Sequence, residues 1–182
     1  MRVRAAIAIA ALALLACQQS PRYTDNLEVE DEKDGWKEVA VKFPPYPRSE
    51  NLVQFDVGDA SPHRFYIDSP SLAIGTDGVV RYTLVTRTAG GATNISFEGI
   101  RCEGRRHKYY AIGEASGAWT PARNPDWRRI GLQDPDRQRL ALVETYLCQG
   151  RLPRKPAQET LRLLRYGPDA QYYFGAPDRP FQ

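Results

Sequence analysis

Four side chains in one stretch are of types that bind or move charge: Arg81, Tyr82, Glu98 and Arg101. A carboxylate beside guanidiniums and a phenol can hold an anion or a peptide. The same residues can equally form a cross-strand ion pair that stabilises a sheet. Tyrosine, arginine and glutamate alone define no reaction. The two histidines are separated in sequence, His63 in a Ser-Pro-His turn and His107 in a basic run beside a strand. Surface or strand-edge positions fit them better than a metal pair. There is no HExxH, Walker loop, GxSxG elbow or paired-carboxylate motif. No catalytic residue, metal ligand or cofactor is therefore assigned. Residues 89–92, Ala-Gly-Gly-Ala, fit a hairpin loop better than a backbone nest for an anion.

The elements that must position this cluster lie in residues 71–102, which read as strand, Asp-Gly turn, long strand, Gly-rich loop and long strand. A symmetric loop places Arg87 opposite Asn94 and Leu84 opposite Phe97. One face then carries Val80, Tyr82, Leu84, Ile95, Phe97 and Arg101 and is the core side. The other, mixed face carries Arg81, Thr83, Ser96, Glu98 and Cys102, with Arg81 diagonal to Glu98. A slip of one residue would exchange these faces.

Three cysteines extend the argument. Arg2 and Arg4 precede an uncharged Ala/Ile/Leu run at 5–16, shorter than the roughly 20 residues of a spanning helix. The run ends Leu14-Leu15-Ala16-Cys17, which resembles a bacterial lipobox. Residues 1–16 are thus expected to be a lipoprotein signal peptide and Cys17 the lipidated residue. Acyl chains on Cys17 would hold the protein at a membrane. Gln18 in place of Asp resembles the signal for outer-membrane delivery. Cys102 and Cys148 remain, and an oxidising envelope with an even count favours a bridge between them.

Residues 17–35 are acidic and lack an apolar period, so they read as a flexible tether. The domain is expected over 36–166, with a C-terminal tail at 167–182. Val39, Val41 and Phe43 alternate as a strand, and the Pro44-Pro45-Tyr46-Pro47 corner ends it. Strands are expected around Val53–Val57 and Arg64–Asp68, with a turn at Ser69-Pro70, and at His107–Gly113. Residues 119–127 read as irregular. A helix starts at Asp134-Pro135 and buries Leu140, Val143 and Leu147. If Cys148 is bridged to Cys102, this helix lies across the mixed face of the hairpin. A second helix runs from about Pro156 to Tyr166 and stops at Gly167-Pro168. The fold class is α+β, a mainly antiparallel sheet with two C-terminal helices packed on it.

Formal net charge is +3, and it is polarised along the chain: residues 17–100 carry 8 basic and 13 acidic side chains, residues 101–182 carry 15 and 9. Complementarity within the molecule accounts for this better than a face for anionic polymers, because the basic residues alternate with acids and apolar residues. Nothing calls for a nucleic-acid partner.

Taken together, Trp36, the 44–47 corner with Asn51-Leu52, Phe65–Asp68, the run 75–85, Gly91–Asn94, Glu98–Cys102 and Tyr110–Gly113 resemble the CNP-like (cryptic neisserial protein-like) family of small proteobacterial envelope proteins. The resemblance covers roughly residues 36–148. It implies a single envelope domain and brings no assigned activity or catalytic residues. The expected function is a lipid-anchored, non-enzymatic binding or assembly module facing the periplasm, with an envelope protein or cell-wall component as partner. The alternatives are a cell-envelope hydrolase and an anionic-polymer-binding protein, with a site near the central hairpin.

Overall fold

The computed structural model describes residues 35–58, 61–131 and 137–168. The expected signal peptide, Cys17, most of the acidic tether, the Asp134 helix cap and nearly all of the tail lie outside them. The elements below all belong to one unit, residues 37–182.

The sheet is an antiparallel meander. Strands β1 (Leu52–Phe55), β2 (Arg64–Ile74), β3 (Val79–Arg87), β4 (Thr93–Arg101), β5 (Arg106–Gly113) and β6 (Trp119–Pro121) pair in chain order, and β7 (Arg128–Arg129) pairs with β5. A helix follows. Its first part, α1 (Arg137–Ala141), widens into π-type turns over Leu142–Leu147 and ends where Cys148 becomes extended. A small hairpin of β8 (Cys148–Gln149) and β9 (Leu152–Pro153) leads to α2 (Ala157–Tyr166), which stops at Gly167. The molecule is an α+β fold with a mainly antiparallel sheet and two C-terminal helices.

Three hairpins share one turn. In the β2–β3, β3–β4 and β5–β6 loops the first loop residue exchanges hydrogen bonds with the residues three and four positions on: Gly75 with Gly78 and Val79, Thr88 with Gly91 and Ala92, Glu114 with Gly117 and Ala118. Each has a positive-φ glycine at the fourth position. This matches the three-residue loop in which a type I turn is closed by a left-handed residue. An odd loop sets the register. In β3–β4, Arg87 pairs with Thr93 and Leu84 with Ser96, one residue away from the symmetric expectation. The shift exchanges the faces of β4, since side chains alternate with period two. Glu98 and Cys102 therefore share a face with Val80, Tyr82 and Leu84, whereas Phe97 and Arg101 share the opposite face with Arg81.

The main core lies on the Tyr82 side. Phe55, Phe65, Ile67, Val80, Tyr82, Leu84 and Ile100 of the sheet pack with Leu142, Val143, Tyr146 and Leu147 of the first helix and Leu163 and Leu164 of α2. The Sγ atoms of Cys102 and Cys148 lie 2.02 Å apart and join β4 to the end of the first helix. The helices thus cover the apolar face of the β3–β4 hairpin, not the side that carries Arg81.

Further expectations change, beginning with Trp119–Pro121, expected to be irregular, which pairs with β5 as β6. Residues 37–48 form no strand: the Val39 N–H donates to the Asp77 carboxylate at 3.0 Å rather than to a ladder, and three prolines lack a donor. This segment lies against the second face as a strap, with Phe43 edge-on to Phe97, and Tyr46 beside Trp119. Nor does Ser69-Pro70 turn the chain. β2 runs through it with a register shift between Asp68 and Ala73. There the Thr83 N–H donates to Ser71 Oγ at 2.8 Å, so a hydroxyl replaces the ladder acceptor where Pro70 interrupts the strand.

Candidate functional site

At the end of the sheet that carries the β3–β4 loop, the Tyr82 face extends past the helices. The register lays out its floor in rows. Tyr82, Glu98 and Tyr109 form the innermost row across β3, β4 and β5; then come Leu84, Ser96 and Ile112; outermost, Phe65 on β2 meets Thr86 and Asn94. Each row mixes polar and apolar side chains, and the face opens into a cleft of about 680 Å³, with His63, Thr88 and the start of α1 at its margins. Its size lies within the range of small-ligand sites.

Glu98 and Arg139 anchor the deep end. Both are buried, and Arg139 Nε and Nη2 donate to Oε2 and Oε1 of Glu98 at 2.8 Å each. Ser96 Oγ donates to Glu98 Oε1 at 2.5 Å, and the Tyr82 hydroxyl to Oε2 at 3.3 Å. Arg139 also donates to the Tyr109 hydroxyl and lies over that ring. A buried carboxylate needs such a set of donors, because leaving it unpaired costs several kcal/mol. Burial pushes the Tyr82 phenol well above its usual range, and the adjacent Glu98 carboxylate raises it further. Burial by itself would lower the Arg139 pKa; the Glu98 carboxylate outweighs it and holds the guanidinium above its ordinary value. The guanidinium is thereby held in its charged form.

The four sequence candidates divide between the faces. Tyr82 and Glu98 meet on the core face, where Glu98 lines the cleft and Tyr82 is fully buried behind it. Arg81 lies on the opposite side, where its Nη2 reaches Asp77 Oδ2 at 2.6 Å and Glu38 Oε1 at 3.5 Å. Arg101, on that same side and buried, reaches Glu103 at 3.8 Å. Glu38 gathers three more donors there, two from β5 and one from the segment before β7: Lys108 Nζ at 2.7 Å, the Tyr110 hydroxyl at 2.5 Å and Trp127 Nε1 at 3.2 Å. Burial would raise the Glu38 pKa, but these donors, Lys108 and Tyr110 foremost, hold it below the usual carboxylate value. This second cluster ties the strap to the sheet and lines a smaller depression of about 370 Å³. His63 sits at the cleft mouth, its Nδ1 accepting from the Ala89 N–H at 3.2 Å. His107 is buried with its ring edge-on to Tyr109. Among the described residues, no group of three His, Cys, Asp or Glu side chains could hold a metal, and no helix is long and apolar enough to cross a membrane.

Sequence reasoning missed Arg139, Ser96 and Tyr109. Ser96 shares a face with Glu98 in either register, being two residues away on the same strand, whereas Tyr109 meets Glu98 through the β4–β5 pairing, which shifts between Phe97 and Glu98. Arg139 had a weaker signal: an arginine beside Leu140 at the start of a helix whose apolar side is buried.

The profile of the CNP1-like family matches residues 31–165. Cryptic neisserial protein 1 of Neisseria gonorrhoeae is 27% identical over an alignment of 135 positions, covering 65% of this chain and 66% of the relative. The chain thus spans slightly less than two thirds of that protein. No solved structure matches. The family profile takes in every strand of the meander, the Glu98–Arg139 pair and both bridged cysteines, and the chain belongs to the CNP1-like family.

Proposed function

We propose that this chain is a lipid-anchored envelope protein, acylated at Cys17 and held at the outer membrane facing the periplasm, whose folded domain binds an envelope partner through the cleft above Glu98 and Arg139. The reading of Cys17 rests on the charged start, the apolar run at 5–16 and the Leu-Leu-Ala-Cys sequence that ends it. The reading of the cleft as a binding site rather than a catalytic one rests on a single observation. The deepest carboxylate, Glu98, is already engaged by both a guanidinium and two hydroxyls. A general acid or base must be able to turn its oxygens toward a substrate; a carboxylate whose two oxygens are both taken by Arg139 and the hydroxyls serves instead as a rigid polar floor.

Both halves are tested in cells. Labelled palmitate should enter the wild-type protein and not Cys17→Ala, and the wild type should fractionate with the outer membrane. A photo-crosslinking residue at Thr86 or Asn94 should trap an envelope component, while one at exposed Arg165 should not. Unlabelled protein that retains residues 1–16 would defeat the anchoring half. Equal trapping from both positions, or turnover of a cell-wall substrate that Arg139→Ala abolishes, would defeat the binding half.

A further inference from the structure

We infer that the cleft takes a neutral, polyhydroxylated ligand, a short oligosaccharide. The inference rests on the cleft being a binding site and names what enters it.

Among the described residues lining the cleft, the carboxylate and guanidinium of Glu98 and Arg139 neutralise each other at the deep end, and Arg137 stands at the margin. The floor therefore offers no concentrated charge for an anion or a cation. What it does offer is hydroxyl and amide chemistry. Thr86 and Asn94 face each other across β3 and β4, with Ser96 one row deeper. These groups both donate and accept, as do sugar hydroxyls. Ser96 gives its proton to Glu98, so its oxygen remains an acceptor for a ligand hydroxyl.

An apolar wall stands beside the hydroxyl row. Ile112 shares a row with Ser96 and is 42% exposed, unusual for a large aliphatic side chain on a central strand. The Tyr109 ring lies deeper on the same strand. A pyranose has polar edges and a face of C–H groups, and such a ring matches a hydroxyl row beside an apolar wall.

The pairing of the strands separates a glycan from a peptide. The strands under the cleft, β2, β3, β4 and β5, are each paired on both sides. An extended peptide gains much of its affinity by adding a strand to a free sheet edge. No such edge lies in this cleft floor, so recognition falls to side-chain hydroxyls and the amide, which suit a sugar.

The test uses the full chain after signal removal, with chitotetraose, cellotetraose and maltotetraose as neutral probes, a sulfated polysaccharide as anionic probe and an unstructured polar peptide as the third class. Calorimetry should detect at least one neutral tetrasaccharide, with affinity unchanged from low to high salt. Thr86→Ala with Asn94→Ala should weaken it about tenfold, the loss of one or two neutral hydrogen bonds. Both positions lie near the strand ends and are incompletely buried, so the fold should survive; an unchanged circular dichroism melt checks this. A third variant, Ile112→Asp, should abolish binding through the wall rather than the hydroxyl row. Salt-sensitive binding of the sulfated polysaccharide alone, or binding of the peptide alone, would overturn the glycan assignment while leaving the cleft a binding site. No binding of any probe, with no cross-link from position 86 or 94 in cells, would overturn both.

Discussion

Arg139 grips Glu98 through two hydrogen bonds of 2.8 Å, with less than one tenth of either side chain exposed. This contact joins the first helix to the centre of the sheet, 41 residues away in sequence. Removing one partner leaves the other charge buried without its counterion. Arg139→Ala should therefore cost about 3–5 kcal/mol of stability. The double variant Glu98→Gln with Arg139→Ala should recover part of that loss, because no charge is then stranded. Urea unfolding of the single and double variants measures the difference. Equal stability of the two would show that the ion pair is not what the helix depends on.

The Cys102–Cys148 bridge spans 46 residues and closes the β5–β7 region and the first helix into one loop. By chain entropy, a crosslink over a loop of this length contributes about 4 kcal/mol. Cys102→Ser with Cys148→Ser should lower the unfolding midpoint accordingly. A reducing agent should produce the same shift in the wild type and none in the variant.

Acid should loosen the strap before it unfolds the sheet. Glu38 and Asp77 both have folded pKa values below their ordinary 4.5 and 3.8. For Glu38, Lys108 and Tyr110 overcome burial; for Asp77, Arg81 does. A depressed carboxylate contributes stability that is fully present above its unfolded pKa and is lost as pH falls through its folded pKa. The two groups should thus contribute fully above about pH 5 and progressively less below it. Glu38→Gln should flatten part of that acid limb. Hydrogen exchange of the Val39 amide, which donates to Asp77, should rise in acid ahead of the β3 and β4 amides.

Gly99 has a packing role. A Cβ there would lie 2.8 Å from the Tyr110 ring and hydroxyl. Tyr110 in turn reaches Glu38 at 2.5 Å. Gly99→Ala should displace Tyr110 and cost about 1–3 kcal/mol. The Tyr110 ring resonances in an NMR spectrum should move with it, whereas Gly90→Ala, in an open loop, should move neither.

The β3–β4 register can be read directly. Cysteines at positions 84 and 96 should join through a short bifunctional reagent, and cysteines at 84 and 97 should not, since position 97 lies on the far face. Preferential joining of 84 to 97 would restore the symmetric loop and remove the polar cleft floor with it.

The amino-acid order by itself determined the class of the fold, the long central strands and the second helix. Val79–Arg87 is too rich in β-branched and aromatic residues for anything but a strand, and 157–166 is bounded by Pro156 and Gly167. The expected pairing of Cys102 with Cys148 is present in the fold. Tertiary structure decided the faces. Whether Glu98 looks toward the helices or away depends on one residue in the Thr88–Ala92 turn, and period-two alternation converts that single step into a different set of neighbours for every side chain of β4. Arg139 found its partner only through the helix crossing, a contact that local sequence does not encode. The strap was legible as alternating apolar residues, but it packs those residues on a face of the sheet, and the Val39 N–H finds the Asp77 carboxylate in place of a ladder partner.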